Sequence, residues 1–107
     1  MVNNFIDLPV IVQNAEYRSV SYKPHIYWTF VCMDDPEHVI HKYSYLHTPE
    51  SFNFFQKELN RISDGSLYES LQGRVEHLID KHIMIRLFED GNVMILGSVR
   101  EGDVLSE

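Results

Sequence analysis

The sequence contains few of the residues and patterns that carry covalent chemistry, phosphate binding or membrane insertion. Its single cysteine, Cys32, excludes an internal disulfide and fits a reducing compartment. Its five glycines are scattered, so they form no glycine-rich phosphate loop. No apolar run approaches the roughly 20 residues that cross a bilayer, and the first residues lack the features of a secretory signal. We therefore expect a soluble cytoplasmic protein.

Cationic residues are also scarce. Nine Lys and Arg stand against 16 Asp and Glu, which gives a formal net charge of -7 at pH 7. Nucleic acids and anionic membranes are bound through cationic side chains, so this balance predicts neither as a partner. A basic protein partner is compatible with it, because complementary charge speeds encounter. The alternative is that the net negative charge has no role in binding and only keeps a small protein soluble.

The side chains that could act as nucleophiles or metal ligands do not form a known motif. His38 and His41 are three residues apart in a strand-like segment, where they point to opposite faces and cannot share an ion. Cys32 lies in the apolar run FVCM, where burial keeps a thiol protonated. No serine lies in a G-x-S-x-G elbow. The sequence thus predicts a non-enzymatic protein without a metal or a cofactor.

The clearest secondary-structure element is a helix over residues 49–63. Thr48 is a favoured N-cap, and Pro49 suits the first helical position. Asp64-Gly65 supplies the stop, because glycine readily adopts the left-handed C-cap conformation. Between them, apolar residues recur every three or four positions and mark one buried face: Phe52, Phe55, Leu59 and Ile62.

Upstream of the helix the apolar period is two, which is typical of strands. Residues 26–33 and 38–45 form a predicted hairpin around a four-residue loop, 34–37. This loop length pairs Trp28 with Tyr43 on a nearly all-apolar face, an arrangement that stabilises sheets.

Two weaker strands are predicted at residues 6–12 and 16–22, around an Asn14-Ala15 turn. Residues 66–72 are predicted to form either a short helix or a loop.

The stretch IRLFEDGNVMI is predicted to be a hairpin, with two possible loops. A two-residue Asp90-Gly91 turn would pair Leu87 with Met94. A three-residue Glu-Asp-Gly loop, with Gly91 left-handed, would instead pair Leu87 with Val93. We favour the second register, because it gathers an almost wholly branched aliphatic set on one face. The opposite face is still largely apolar and needs a second cover, either the N-terminal strands or another protein.

Together these elements predict a single α+β domain over residues 1–107. At this length, with 44% hydrophobic residues, the chain can bury a core of its own. The predicted sheet is mostly antiparallel, with one principal helix packed on it. The predicted element order is β-β-β-β-α-β-β-β.

The order of the C-terminal elements resembles a known family. Strands are followed by "TPESFNFFQKELNRI", a short spacer and "HIMIRLFEDGNVMILGSV". This order resembles the small immunity proteins of bacterial polymorphic toxin systems, in particular the WapI-like family. The resemblance covers roughly residues 49–99 and rests on Phe52, Phe55, Leu59, Asp90, Gly91 and Gly97. It implies a non-enzymatic cytoplasmic antitoxin that occludes a nuclease-type toxin, with an acidic surface that imitates the charge of the toxin's substrate.

Turns and tyrosines supply the candidate partner-binding residues. Turns expose carboxylates that can pair with cations of a basic toxin domain, and tyrosines are frequent anchors at interfaces. The candidates are Asp34, Asp35, Glu37, Tyr43, Tyr45, Glu89 and Asp90.

Two other functions fit the same pattern. One is a small-ligand-binding or enzymatic domain with a pocket between sheet and helix, in which His41, placed beside Phe30, is the polar group. The other is a homodimeric structural subunit that covers its own second apolar sheet face.

Overall fold

A five-stranded antiparallel sheet with one main helix packed on it forms the fold. The computed structural model describes residues 4–62 and 70–99. The elements in chain order are β1 (Phe5–Val20), β2 (Lys23–Cys32), β3 (Val39–Tyr45), α1 (Pro49–Ile62), α2 (Leu71–Glu76), β4 (His82–Phe88) and β5 (Val93–Ser98). The strand order in the sheet is β3-β2-β1-β4-β5. The predicted α+β class is confirmed.

The N-terminal segment is one long strand, so the prediction of two strands around an Asn14-Ala15 turn is wrong. β1 lies at the centre of the sheet and pairs with both β2 and β4. A bulge between Val12 and Asn14 absorbs Gln13, and Val12 and Ala15 are both buried. The chain turns instead at Ser21-Tyr22, and three strands precede α1 rather than four.

The β2–β3 register is one residue away from the predicted one. His38 donates its backbone N–H to the Asp35 carbonyl (2.9 Å), and its own carbonyl accepts from Cys32 N–H (3.1 Å). Because this turn brings His38 opposite Cys32, Trp28 pairs with Lys42 and not with Tyr43. A slip of one residue exchanges the faces of a strand. Alternate β3 residues are therefore buried, namely Ile40, Lys42 and Ser44, while Val39, His41, Tyr43 and Tyr45 are exposed.

The principal helix forms as predicted. The Thr48 side chain caps α1 by accepting the Ser51 backbone N–H (3.1 Å). Phe55, Leu59 and Ile62 are buried, and Phe52 lies at the margin of this face. The predicted stop at 64–65 lies outside the described residues.

The segment predicted as a short helix or a loop, 66–72, lies mostly outside the described residues. The structure has a short helix, α2, over Leu71–Glu76, which includes the last two residues of that segment. Ser70 is its N-cap and accepts the Gly73 backbone N–H (3.0 Å).

The β4–β5 hairpin has the favoured three-residue loop. Phe88 N–H donates to the Asn92 carbonyl (2.9 Å), and Gly91 has a φ of +94°. Leu87 pairs with Val93, as that loop requires. Gly91 is the only glycine position described here at which a positive φ makes the residue type necessary.

The core lies on the inner face of the sheet, under the helices. The buried apolar residues form one cluster in which α1 packs against β5 and β3, and α2 packs against β1. Among the described elements, none covers the outer face. The N-terminal strands cannot supply that second cover, because β1 lies within the sheet itself.

The β1–β2 turn gives a stability prediction. Ser21 (φ 54°) and Tyr22 (φ 62°) are left-handed without being glycine, and Tyr22 is 97% exposed. A left-handed backbone costs a residue with a Cβ about 1–2 kcal/mol, and glycine avoids this cost. We expect Tyr22→Gly to raise the free energy of unfolding by about 0.5–1 kcal/mol in urea denaturation.

A glycine substitution in the adjoining strand provides the control. Ser19 is exposed and does not have a positive φ. Ser19→Gly should lower the free energy of unfolding by up to about 1 kcal/mol. Equal losses in the two variants would show that the turn stores no strain.

Candidate functional site

A lysine side chain connects the two outermost strands of the sheet. Lys42 of β3 donates from Nζ to the Val93 carbonyl of β5 (2.6 Å). β3 and β5 lie at opposite ends of the strand order, so this contact requires the sheet to curl until its edges face each other. The lysine is only 8% exposed, which makes the bridge part of the core.

Helix α1 completes the bridge with two further side chains. Glu58 accepts the Ile95 backbone N–H through Oε2 (2.8 Å), and its Oε1 lies 3.2 Å from Lys42 Nζ. Arg61 donates from Nη1 to the Ile95 carbonyl (2.7 Å). These contacts satisfy backbone groups on the edge of β5, where β5 has no neighbouring strand. They also fix the position of α1 against that strand.

The Lys42–Glu58 contact is a buried ion pair. Glu58 is 1% exposed, and its Oε1 lies within ion-pair distance of Lys42 but outside the geometry of a good hydrogen bond. Burial lowers the pKa of Lys42, and the charge of Glu58 opposes that shift. Both side chains are almost excluded from solvent, so each charge depends on the other for compensation.

A groove lies outside this bridge, between β3 and the β4–β5 turn. One part, of about 260 Å³, is lined by His41 and Tyr43 on one side and by Gly91 and Asn92 on the other. The adjoining part measures about 470 Å³. We name the whole the β3 groove, and its walls are formed mainly by Tyr43, Tyr45, Phe54, Phe88, Asp90 and Asn92.

One wall of the β3 groove is an unpaired strand edge. The Cys32 backbone N–H donates to the His38 carbonyl (3.1 Å), and the Leu46 N–H donates to the Pro24 carbonyl (3.0 Å). These two bonds fix the ladder between β2 and β3. Antiparallel ladders alternate, so the backbone groups of Tyr43 and Tyr45 point away from β2 and into the groove. The groove can therefore offer hydrogen bonds to an extended segment as well as ring faces and a carboxylate.

The structure brings together three of the seven predicted partner-binding residues. Tyr43 (52% exposed), Tyr45 (44% exposed) and Asp90 line the β3 groove. The carboxylate of Glu89 accepts a hydrogen bond from Asn4 Nδ2 (3.3 Å) and does not line the groove. The other three, Asp34, Asp35 and Glu37, are exposed in the β2–β3 loop.

That loop is distant from the tyrosine end of the groove. It joins the start of β3, whereas Tyr45 is the last residue of the strand. Tyr45 lies six positions after Val39 in the strand, and a rise of about 3.4 Å per position gives a distance of about 20 Å.

Sequence reasoning missed Lys42, Glu58 and Arg61. The signal for Glu58 was present, because it lies three residues after Phe55 on the apolar face of α1. A carboxylate in that position requires a buried partner. The partner could not be named, because the predicted register placed Lys42 on the outer face.

His41 does not lie between sheet and helix, so the predicted pocket with His41 as its polar group is wrong. The register places it on the outer face, where Nδ1 shares a 2.8 Å hydrogen bond with the Tyr27 hydroxyl. The two rings are stacked, with centroids 5.5 Å apart.

Cys32 has a histidine neighbour but not the environment of a nucleophile. Its Sγ lies 3.4 Å from His38 Nδ1. Burial raises the pKa of the thiol, and Asp35 and Asp34 raise it further. A protonated thiol is a poor nucleophile, as the apolar run FVCM predicts.

Within residues 4–62 and 70–99, no three His, Cys, Asp or Glu side chains come together as a metal ion would require. None of the helices described there has both the length and the apolar character needed to cross a membrane.

The ion pair gives a mutational prediction. Glu58→Leu leaves Lys42 buried without its counter-charge and should lower the free energy of unfolding by about 3–5 kcal/mol. Lys42→Met combined with Glu58→Leu removes both charges. We expect this double variant to lose at least about 1 kcal/mol less than the sum of the two single variants.

Lys57→Met, at an exposed lysine of α1, is the control and should change stability by less than about 0.5 kcal/mol. Additive losses would show that the two charges are not coupled.

The lowered pKa of Lys42 gives a pH prediction. As pH rises towards the ordinary lysine value of 10.5, the folded protein releases the Lys42 proton while the unfolded chain still holds it. The unfolded state then binds more protons, so stability rises with pH. Relative to Lys42→Met, the native protein should therefore be more stable at pH 10 than at pH 8 in denaturant titrations. A difference that stays constant or shrinks would contradict the shift.

The comparison with known proteins gives no family for the chain: no protein-family model matches it, and neither does any curated protein.

Proposed function

We propose that this protein is a non-enzymatic binding module that holds a basic protein partner through the β3 groove. The observation that carries the proposal is the meeting of Tyr43, Tyr45 and Asp90 beside an unpaired strand edge. Exposed tyrosines supply large contact area with little conformational freedom to lose. A carboxylate among rings suits an arginine or lysine side chain, which can stack and form an ion pair at once.

The charge of the chain supports a cationic partner. The net charge of -7 would draw a basic protein towards the surface at long range. Lys42 lies at the floor of the groove, but Glu58 is 3.2 Å from its Nζ and offsets its charge. The outer carboxylates of Asp34, Asp35, Glu37 and Glu89 would steer the partner without lining the groove.

Backbone pairing would give the contact its orientation. An extended partner segment placed along β3 could bond to the outward N–H and C=O groups of Tyr43 and Tyr45. Strand addition of this kind supplies affinity through the main chain and specificity through side-chain pockets. The groove next to it would then receive the cationic side chain.

More concretely, we propose that the partner is a bacterial toxin domain and that the protein is its cytoplasmic immunity protein. This part rests on the resemblance of residues 49–99 to the WapI-like immunity proteins and on the agreement between that role and an acidic surface. A nuclease-type toxin binds a polyanion, so its active site is basic and would be blocked by an acidic protein.

The experiment begins with a tagged form of the chain, recovered from its native host with whatever binds it at low and at high salt. We expect a stoichiometric basic protein that stops growth when it is produced without this chain. The affinity of the purified pair should fall at least about 100-fold for Tyr43→Ala combined with Asp90→Lys, because the variant removes an anchor and reverses a charge.

Two further variants locate the contact. Reversal of Asp34, Asp35 and Glu37 to lysine should slow association by several-fold and leave the dissociation rate nearly unchanged. Glu50→Lys, at an exposed position of α1, should have little effect. Full affinity in the Tyr43→Ala, Asp90→Lys variant would exclude the groove. A homodimer in solution that buries the same tyrosines would replace the partner with a second copy of the chain.

A further inference from the structure

A second concave surface lies on the other side of Tyr43 and Tyr45, beneath the β1–β2 turn. It measures about 450 Å³ and is lined chiefly by Arg18, Lys23, His25, Tyr43 and Tyr45. We name it the hairpin hollow. We propose that the hairpin hollow binds a small planar aromatic anion, a ring system that carries a phosphate, as a mononucleotide does. This proposal does not rest on the partner argued above.

The charge of the hairpin hollow is opposite to that of the whole chain. Arg18 and Lys23 line it, and no carboxylate is among the described residues that form its walls. The acid in contact with Arg18 is Glu16, which accepts a hydrogen bond from Arg18 Nε (2.7 Å). That bond raises the pKa of Arg18, so the guanidinium stays charged. Glu16 offsets part of the charge of Arg18, but its hydrogen bond occupies Nε, so the Nη groups can still donate to a ligand. Lys23 adds a second cation, and no acid is among the described residues that line the hollow, so an anion is the complementary ligand.

Arg18 is also held in a defined position. Its guanidinium carbon lies 4.2 Å from the centroid of the Tyr27 ring, and Glu16 fixes it through Nε. A cation placed in this way loses less conformational freedom on binding than a free side chain does. Arg18 can therefore act as a preformed contact for the charged end of a ligand.

The other side of the hairpin hollow is made of rings. His25 is only 6% exposed, and its ring centroid lies 5.6 Å from that of Tyr43 and 5.8 Å from that of Tyr45. The tyrosine rings are themselves stacked, at 6.3 Å and 15°. Because the Lys23 carbonyl can only accept, His25 Nδ1 must donate to it (3.0 Å), which leaves Nε2 for a ligand. Held rings of this kind bind planar groups by stacking.

The turn above the hairpin hollow carries the strain described earlier. Ser21 lines the hollow, and the left-handed Tyr22 follows it with almost its entire side chain in solvent. Glycine would suit that backbone better, and Tyr22 adds little to the core. Left-handed backbone conformations at residues other than glycine occur often at binding sites.

The size of the hollow and the charge around it favour a small molecule over a nucleic acid. The volume lies within the range of small-ligand sites. A polymer of phosphates would extend from two cations onto a protein with a net charge of -7, which repels it. A mononucleotide has one ring system and one phosphate, and it matches the hollow without that penalty.

The test uses adenosine monophosphate as the probe, with adenosine and inorganic phosphate as its two halves. Each is titrated into the full chain at low salt and followed by calorimetry and by the amide shifts of residues 18–25 and 43–45. We expect saturable one-to-one binding of the nucleotide, at least tenfold tighter than either half. Arg18→Gln combined with Lys23→Gln should weaken the nucleotide about tenfold and leave adenosine unchanged. Lys57→Gln is the matched control and should change neither.

Each other result overturns the proposal in a stated way. Phosphate as tight as the nucleotide shows an ion site without a ring, and adenosine as tight shows a ring site without an anion. A single-stranded oligonucleotide that binds at least tenfold tighter than the nucleotide assigns the surface to nucleic acid. Equal losses in the double variant and in Lys57→Gln remove the two cations from the site. Absence of nucleotide binding at millimolar concentration overturns the proposal entirely.

Discussion

The buried pair of Lys42 and Glu58 is the constraint on which the rest of the structure depends. A sheet of five strands has two edges, and here side chains rather than backbone ladders join them. Lys42 reaches from β3 to the Val93 carbonyl, and Glu58 reaches from α1 to the Ile95 N–H. Two charges buried together require each other, so this contact links β3, α1 and, through the Val93 and Ile95 backbone groups, β5.

The same bridge explains why a groove remains open. A side chain holds strands further apart than a hydrogen-bonded ladder does, and the gap is left on the outer side of Lys42. Tyr43 and Tyr45 stand at this gap and separate two surfaces of different chemistry. One contains Asp90 and an unpaired strand edge, and the other contains Arg18 and Lys23. The two proposed sites, one for a cation and one for an anion, therefore lie on either side of the two tyrosine rings.

Sequence reasoning succeeded where a local signal was strong. Thr48 and the helical spacing of the apolar residues predicted α1, and Gly91 predicted the loop of the β4–β5 hairpin. The prediction of strand register failed where either set of alternate residues could have formed the buried face. Val39 and Ile40 are adjacent aliphatics, so the pattern of β3 could not choose its register, and a turn closed by His38 decided it. The bulge at Gln13 has no signature in the sequence either. Lys42 and Glu58 lie on different elements, so the sequence alone could not pair them.

Amide hydrogen exchange at Ile95 tests the central claim most directly. Ile95 lies on the outer edge of β5, but its N–H donates to the buried Glu58 carboxylate at 2.8 Å. It should therefore exchange as slowly as the amides paired between β1 and β4, while the Tyr43 amide, which points into the groove, should exchange fast. An Ile95 amide that exchanges as fast as that of Tyr43 would show that the bridge does not close the sheet in solution.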